Sequence, residues 1–315
     1  MIKTTPFEMV FIIREVMTQT RTAFIAIVGC PNVGKSSILN RLLGQKVAVV
    51  SPKPQTTRTK IMGVLTEDEV QLVFTDTPGF HRPRTKLGEK MIKAVSDSIS
   101  GVDACLFVVE PSGELRDAEK DLLKKFKDEK MPVILAINKI DSVKQKELLI
   151  ERMAQFSALY DFEAIVPCSA LKGDGFGDLK DELFKQAQPS PHFFPDDTLT
   201  DQPERVLAAE IIREKILNLL DDEVPHGVAV CIERMHERED SNITDIDATI
   251  YCERESHKGI IIGKKGEMLK KVSTKAREDM ERFFMCKINL HCWVKVKEGW
   301  RNREGLIHNF GLDNE

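Results

Sequence analysis

The sequence predicts a doubly wound α/β domain followed by a small α+β domain, and three observations predict it. Short apolar runs alternate with amphipathic helical patterns as far as residue 188, the signature of a parallel sheet covered on both faces. Four prolines, Pro189, Pro191, Pro195 and Pro203, then break regular structure. After them the pattern becomes helix, strand, strand, helix, helix, strand. The expected divisions are an N-terminal extension at 1–21, the α/β domain at 22–188, a Pro-rich linker at 189–203, the α+β domain at 204–303 and a tail at 304–315.

Apolar residues fill 23–28, Ala-Phe-Ile-Ala-Ile-Val, and place the first strand there. A helix follows over 37–43. Further strands are expected at 70–75, 104–109, 132–137 and 164–167, each a short apolar run. The stretches 88–100, 117–129, 144–159 and 176–187 repeat apolar residues at helical spacing and supply the covering helices. In the second domain, 204–220 reads as a helix, and 227–234 and 243–252 alternate as paired strands. A helical run over 258–284 is broken by a glycine-containing turn. The last strand, 288–297, puts Ile288, Leu290, Cys292, Val294 and Val296 on one face. The N-terminal stretch 7–13 is apolar but carries Glu8 and runs into Arg14 and Glu15. It is too short for a membrane span and reads as a loosely attached helix, or as residues ahead of a start at Met17.

With 42% hydrophobic and 30% charged residues, the chain can bury two cores, and wholesale disorder is excluded. Seven scattered cysteines, with no CxxC pair, exclude a disulfide scaffold and a structural zinc site and point to a reducing cytoplasm. The formal net charge of −4 by itself argues against a nucleic-acid binder. Its distribution argues the other way. Residues 201–254 carry 6 Lys/Arg against 14 Asp/Glu, whereas 255–303 carry 13 against 6.

Gly29-Cys30-Pro31-Asn32-Val33-Gly34-Lys35-Ser36 fits G-x-x-x-x-G-K-[ST] between a strand and a helix. There, backbone N–H groups close round phosphate oxygens, Lys35 supplies a cation to the β- and γ-phosphates, and the Ser36 hydroxyl can ligate Mg²⁺. Asp76-Thr77-Pro78-Gly79 follows a strand, where the Asp76 carboxylate can hold Mg²⁺ through water and the Gly79 N–H can meet a γ-phosphate. Asn138-Lys139-Ile140-Asp141 ends another strand. A carboxylate accepts the paired N–H donors of guanine, which adenine lacks. Ser169-Ala170-Leu171 follows the next strand and offers a backbone N–H to the guanine carbonyl.

In the second domain, Ile260-Ile261-Ile262-Gly263-Lys264-Lys265-Gly266 ends an apolar run in a Gly-x-x-Gly loop with two lysines. The glycines admit a nucleic-acid backbone closely, and the lysines, with Lys270 on the following helix, meet its phosphates. Ile261 and Ile262 read as core or as an apolar groove for bases. Trp300 reads as core closure or as a base-stacking ring.

The four segments in the first domain are similar to the first, third, fourth and fifth guanine-nucleotide motifs of the translation-factor-like small GTPases. With the C-terminal domain, and with 194–205 and 208–216 in particular, the chain over about 22–303 resembles the Era family of bacterial GTPases. The resemblance implies a P-loop GTPase domain and a type II KH domain, with GTP or GDP as ligand and Mg²⁺ as cofactor. It makes Gln55-Thr56-Thr57-Arg58 the switch I segment, in which Thr57 completes the Mg²⁺ shell and Thr56 is the rival. It makes Asp76-Thr77-Pro78-Gly79-Phe80 switch II.

Phe80 stands where many GTPases carry a water-orienting glutamine, so intrinsic hydrolysis is expected to be slow. Asn32 is either a ligand for K⁺ assisting in its place or a shaper of the loop. The resemblance further implies a monomeric cytoplasmic switch, with peripheral contact to the inner membrane. Its KH residues Ile262, Gly263, Lys264, Lys265, Gly266 and Lys270 would bind the 3′ end of 16S rRNA on the precursor of the 30S ribosomal subunit. The alternatives are a tRNA-modification GTPase, which shares only the G domain and carries a C-terminal cysteine absent here, and an RNA-binding regulator whose G domain is structural.

Overall fold

The computed structural model describes residues 20–51, 53, 56–79, 85–221 and 224–312. The expected switch positions Gln55 and Phe80, and the N-terminal stretch 1–19, lie outside the described residues. The first domain runs β1 (Arg21–Val28), α1 (Lys35–Leu43), β2 (Ile61–Glu67), β3 (Val70–Asp76), α2 (Lys86–Ile99), β4 (Ala104–Val109), α3 (Asp117–Glu129), β5 (Val133–Ile137), α4 (Lys146–Ser157), β6 (Ala164–Pro167) and α5 (Phe176–Phe184). The sheet order is β2-β3-β1-β4-β5-β6.

Strands β3, β1, β4, β5 and β6 are parallel. Strand β2, which the sequence reading did not place, runs antiparallel to β3 at one edge. Gly63, Thr66 and Glu67 dilute the apolar pattern of β2, so sequence periodicity passed it over. Alternate residues of each strand enter different cores. Ile25, Ile27, Phe74 and Leu106 face α1 and α5. Val28, Phe107, Val133 and Leu135 face α2, α3 and α4. The strand order reverses at β1, so the loops after β1, β3, β5 and β6 open at one edge, the place where open α/β sheets bind ligands.

The Pro-rich stretch is laid along this sheet rather than hanging free. Strand β7 (Gln188–Pro189) pairs antiparallel with β1. The Gln71 side chain accepts from the Phe193 and Phe194 N–H groups at 2.8 and 3.0 Å. The Thr200 hydroxyl donates to the Met62 carbonyl at 2.6 Å. Prolines stop regular structure here without stopping attachment.

The second domain runs α6 (Glu204–Leu219), β8 (Ala229–Glu237), β9 (Ile243–Cys252), α7 (Glu255–Ile262), α8 (Glu267–Phe284) and β10 (Lys287–Val296). Its sheet order is β10-β9-β8, with β10 parallel and β8 antiparallel to β9. Ile212, Ile216, Ile246, Ile250, Val272 and Met280 fill the core between this sheet and its helices.

The expected tail contains a helix, α9 (Glu304–Asn309), which closes a cluster spanning both domains. Leu87 and Met91 of α2 pack there with Ala229, Trp300 and Ile307. Trp300 is fully buried, and its indole N–H donates to the Gly227 carbonyl at 2.9 Å. It closes the core and has no face left for a base. Tyr251 stacks on Phe310 at 4.7 Å, and Phe310 meets Trp300 edge-on at 5.4 Å. Such ring pairs contribute about 0.5–1.5 kcal/mol each beyond their buried area. They, and not the exposed Lys86–Glu304 pair that water and salt screen, hold α9 in place.

Candidate functional sites

The loop after β1 arches over the N-terminus of α1 because its glycines are sterically required. A Cβ on Gly29 would lie 2.3 Å from the Val108 carbonyl oxygen, and one on Gly34 would lie 2.2 Å from Asn138 Nδ2. Gly34 also has φ 101, which L side chains rarely adopt. Lys35 is buried, and its ammonium donates to the Gly29 and Cys30 carbonyls at 3.1 and 3.0 Å. This folds the cation back under the loop.

Three oxygen side chains converge beside it. The Ser36 hydroxyl donates to Asp76 Oδ2 at 2.6 Å and lies 2.9 Å from the Thr57 hydroxyl. Thr57 in turn lies 3.4 Å from Asp76 Oδ2. Thr56 points elsewhere, its hydroxyl donating to the Lys53 carbonyl at 2.6 Å. Asp76 Oδ1 is buried with no hydrogen-bond partner among the described residues. A buried orphan carboxylate oxygen beside two hydroxyls suits a hard divalent cation, and one carboxylate leaves room for phosphate and water in its shell. Gly79 packs on the phosphate loop, where a Cβ would come within 2.6 Å of Pro31 Cα. Gly34, Lys35, Ser36, Thr57, Gly79 and Lys139 line a cavity of about 280 Å³.

Burial pushes the Asp76 carboxyl up from 3.8 to about 6, although Lys35, Ser36 and Thr57 pull the other way. Burial likewise lowers Lys35 despite Asp76. Desolvation therefore outweighs the mutual attraction of the pair. Between pH 4 and 6 the folded chain binds more protons than the unfolded chain, so stability falls as pH rises through that window. Ionised Asp76 then costs about 3 kcal/mol at pH 7.5. In the nucleotide-free chain, Asp76→Asn is expected to raise stability at pH 7.5 by on the order of 2 kcal/mol, with the gain vanishing near pH 4. Urea unfolding at the two pH values checks this, and a difference independent of pH would refute it.

The base-side residues meet at the ends of β5 and β6. The Asn138 amide donates to the Val33 carbonyl at 2.9 Å and accepts from the Ala170 N–H at 3.0 Å. Asn138 thus ties three loops together and does not present its amide to the cleft. The Ser169 hydroxyl donates to Asp141, and Asp141 and Leu171 stand exposed. Lys139, with φ 68, bridges the Asn32 carbonyl and Glu110, at 2.5 and 2.8 Å. Glu110 went unnoticed in the sequence because only the fold brings β4 beside this loop.

In the second domain, the Gly-x-x-Gly loop links α7 to α8. Gly263 has φ 71, and a Cβ there would fall 2.7 Å from Met268 Cβ. Lys265 has φ 52, and a Cβ on Gly266 would meet open space. Lys264, Lys265 and Lys270 are exposed. Ile261 is fully buried in the core and Ile262 is half-buried.

Residues 24–139 match the family model described as a 50S ribosome-binding GTPase, and residues 223–301 match the KH domain. The chain is 48% identical over 295 residues to GTPase Era of Clostridioides difficile, covering 94% of this chain and 99% of that one. This chain belongs to the Era family of GTPases. It is also 49% identical over 291 residues to GTPase Era of Ruminiclostridium cellulolyticum, covering 92% of this chain and 97% of the relative.

Solved Era structures share the whole fold. A variant of Aquifex aeolicus Era bound to GDP and AlF4⁻ superposes with a TM-score of 0.90 at 37% identity, covering 93% of this chain and all of that one. Era in complex with MgGDPNP and nucleotides 1506–1542 of 16S ribosomal RNA gives 0.88 at 38% identity, covering 93% and 99%.

Proposed function

We propose that this Era-family GTPase is a GTP-controlled switch that binds the 3′ end of 16S rRNA through its KH domain and assists assembly of the 30S subunit from its precursor. One observation carries the reading. The match to the Era–MgGDPNP–16S rRNA complex extends across both domains, and the tRNA-modification alternative shares only the G domain. Lys35 and the loop N–H groups would hold the β- and γ-phosphates. Ser36, Thr57 and Asp76, the last through water, would hold Mg²⁺, which neutralises charge on the phosphates when bound. Asp141 would accept the guanine N–H pair, with Ser169 and Ala170 shaping that side.

Thr57 and Gly79 would read the γ-phosphate from opposite sides of the cavity, ordering both switches in the GTP form alone. Asn32 would help a K⁺ ion to stand where the catalytic glutamine is missing, which requires faster turnover in potassium than in sodium buffer. No helix among the described residues is long and apolar enough to cross a membrane.

The test is binding of a single-stranded 16S 3′-end RNA to the GTP-analogue and GDP forms across a salt series. Tighter binding in the analogue form is expected. Equal affinities with equal salt dependence would defeat the proposal.

A further inference from the structure

The switch I segment touches the KH domain on both sides of Thr57. Ahead of it, Arg213 of α6 donates to the Thr56 carbonyl. Behind it, the Arg58 guanidinium donates to the Val228 and His226 carbonyls at 2.6 and 2.9 Å, at the entry to β8. Arg58 also stacks over the buried Trp300 ring at 5.7 Å. Arg58 and Arg213 are 2% and 1% exposed. Glu210 holds Arg213 from the previous turn of α6 at Nε and Nη2. So the peptide carbonyl before Thr57 and the side chain after it are both held by groups of the RNA-binding domain.

We infer that Arg213 is a positioning residue for the nucleotide centre: through the Thr56 carbonyl, and with Arg58 seated on the Gly227 turn, the docked KH domain holds the Thr57 hydroxyl against Ser36 and Asp76. The inference rests on the proposed role of Thr57 as a ligand of Mg²⁺ with GTP. It adds that the ligand is presented by the neighbouring domain and not by the G domain alone.

The clamp is built to release. Among the described residues, Arg58 Nε and Arg213 Nη1 are buried with no hydrogen-bond partner. Burial, together with the neighbouring Arg213 charge, pulls Arg58 from 12.5 down to about 9. Two desolvated guanidiniums side by side make the docked state costly, so it persists only while other contacts support it. The Lys46 pairs with Glu214 and Asp279, at 2.5 and 3.1 Å, are one such support across the same interface. A ligand that fixes Thr57 supplies another, and the coupling is reciprocal. Whatever steadies Thr57 favours the docked KH domain, and whatever moves the KH domain loosens Thr57.

The experiment uses the full chain with Mg²⁺ and a non-hydrolysable GTP analogue, comparing wild type with Arg213→Met. Amide hydrogen exchange over residues 57–60 should speed up on the order of tenfold in the variant, and the Mg²⁺ concentration for half-saturation should rise by a similar factor. GDP affinity should stay within about twofold, because Thr57 serves the triphosphate form. Arg213→Lys, which keeps the charge but loses the fork that reaches Thr56 and Glu210 together, should rescue only part of the effect. Unchanged exchange and unchanged Mg²⁺ dependence in a variant that melts like wild type would overturn the inference. Should Arg213→Met not fold, Arg58→Lys is read by the same two measurements. Failure of wild type to bind the analogue with Mg²⁺ would instead strike the proposed function itself.

Discussion

Lys35→Ala is expected to keep the fold and lose GTP hydrolysis by roughly three orders of magnitude. The ammonium sits under the phosphate loop, bonded to the Gly29 and Cys30 carbonyls, in a buried setting where a charge acts through little intervening water. Any phosphate drawn into the 280 Å³ cavity meets that charge together with the N-terminus of α1. Alanine removes the cation but not the loop shape, which the Gly29 and Gly34 contacts fix independently.

The burial of Lys35 also matters for stability. Burial already disfavours its charged form, so the nucleotide-free variant should melt no lower than wild type. Single-turnover phosphate release, with nucleotide affinity measured separately, checks both halves. A rate within tenfold of wild type would remove Lys35 from the chemistry.

The residues of that centre could be read from the sequence for a physical reason. A phosphate loop needs glycines where backbone approaches backbone, and a cation and a hydroxyl at the next helix start. All of them lie within eight consecutive residues, Gly29 to Ser36. Asp76 ends an apolar strand and Asn138 and Ser169 follow theirs, so the strand pattern places them at one edge once the sheet is assumed parallel.

What the sequence withheld depends on contacts between distant segments. Asn138 has the composition of a base-binding residue, yet its amide is consumed by Val33 and Ala170. Arg213 is one of two arginines on α6, and nothing local marks it as the one that reaches Thr56, some 157 positions away. Strand β2 hides because a half-buried edge strand with Gly63 in it lacks a clean apolar run. Helix α9 hides because six residues are too few for periodicity to register, and packing on Trp300 and Tyr251 makes it.

The second large effect separates charge from shape in the KH loop. Replacing Lys264 and Lys265 together by alanine should weaken binding of the 16S 3′-end RNA by roughly tenfold for each lysine at moderate salt. It should also flatten the plot of log affinity against log salt by about 1.4, because each single-strand phosphate contact contributes about 0.7 to the slope. Both side chains are exposed at the tip of the turn, so their loss leaves the fold unaltered.

Gly263→Ala should behave differently. Its φ of 71 and the 2.7 Å approach to Met268 Cβ force the backbone to shift, so affinity falls while the salt slope stays near that of wild type. A flattened slope in the glycine variant, or an unchanged slope in the double-lysine variant, would mean that the RNA backbone does not run over this loop. The basic surface of 255–303 would then face some other partner. The near-neutral sum of the chain conceals this surface because the acidic stretch at 201–254 offsets it in sequence. In space, Lys264, Lys265 and Lys270 stand exposed at the loop.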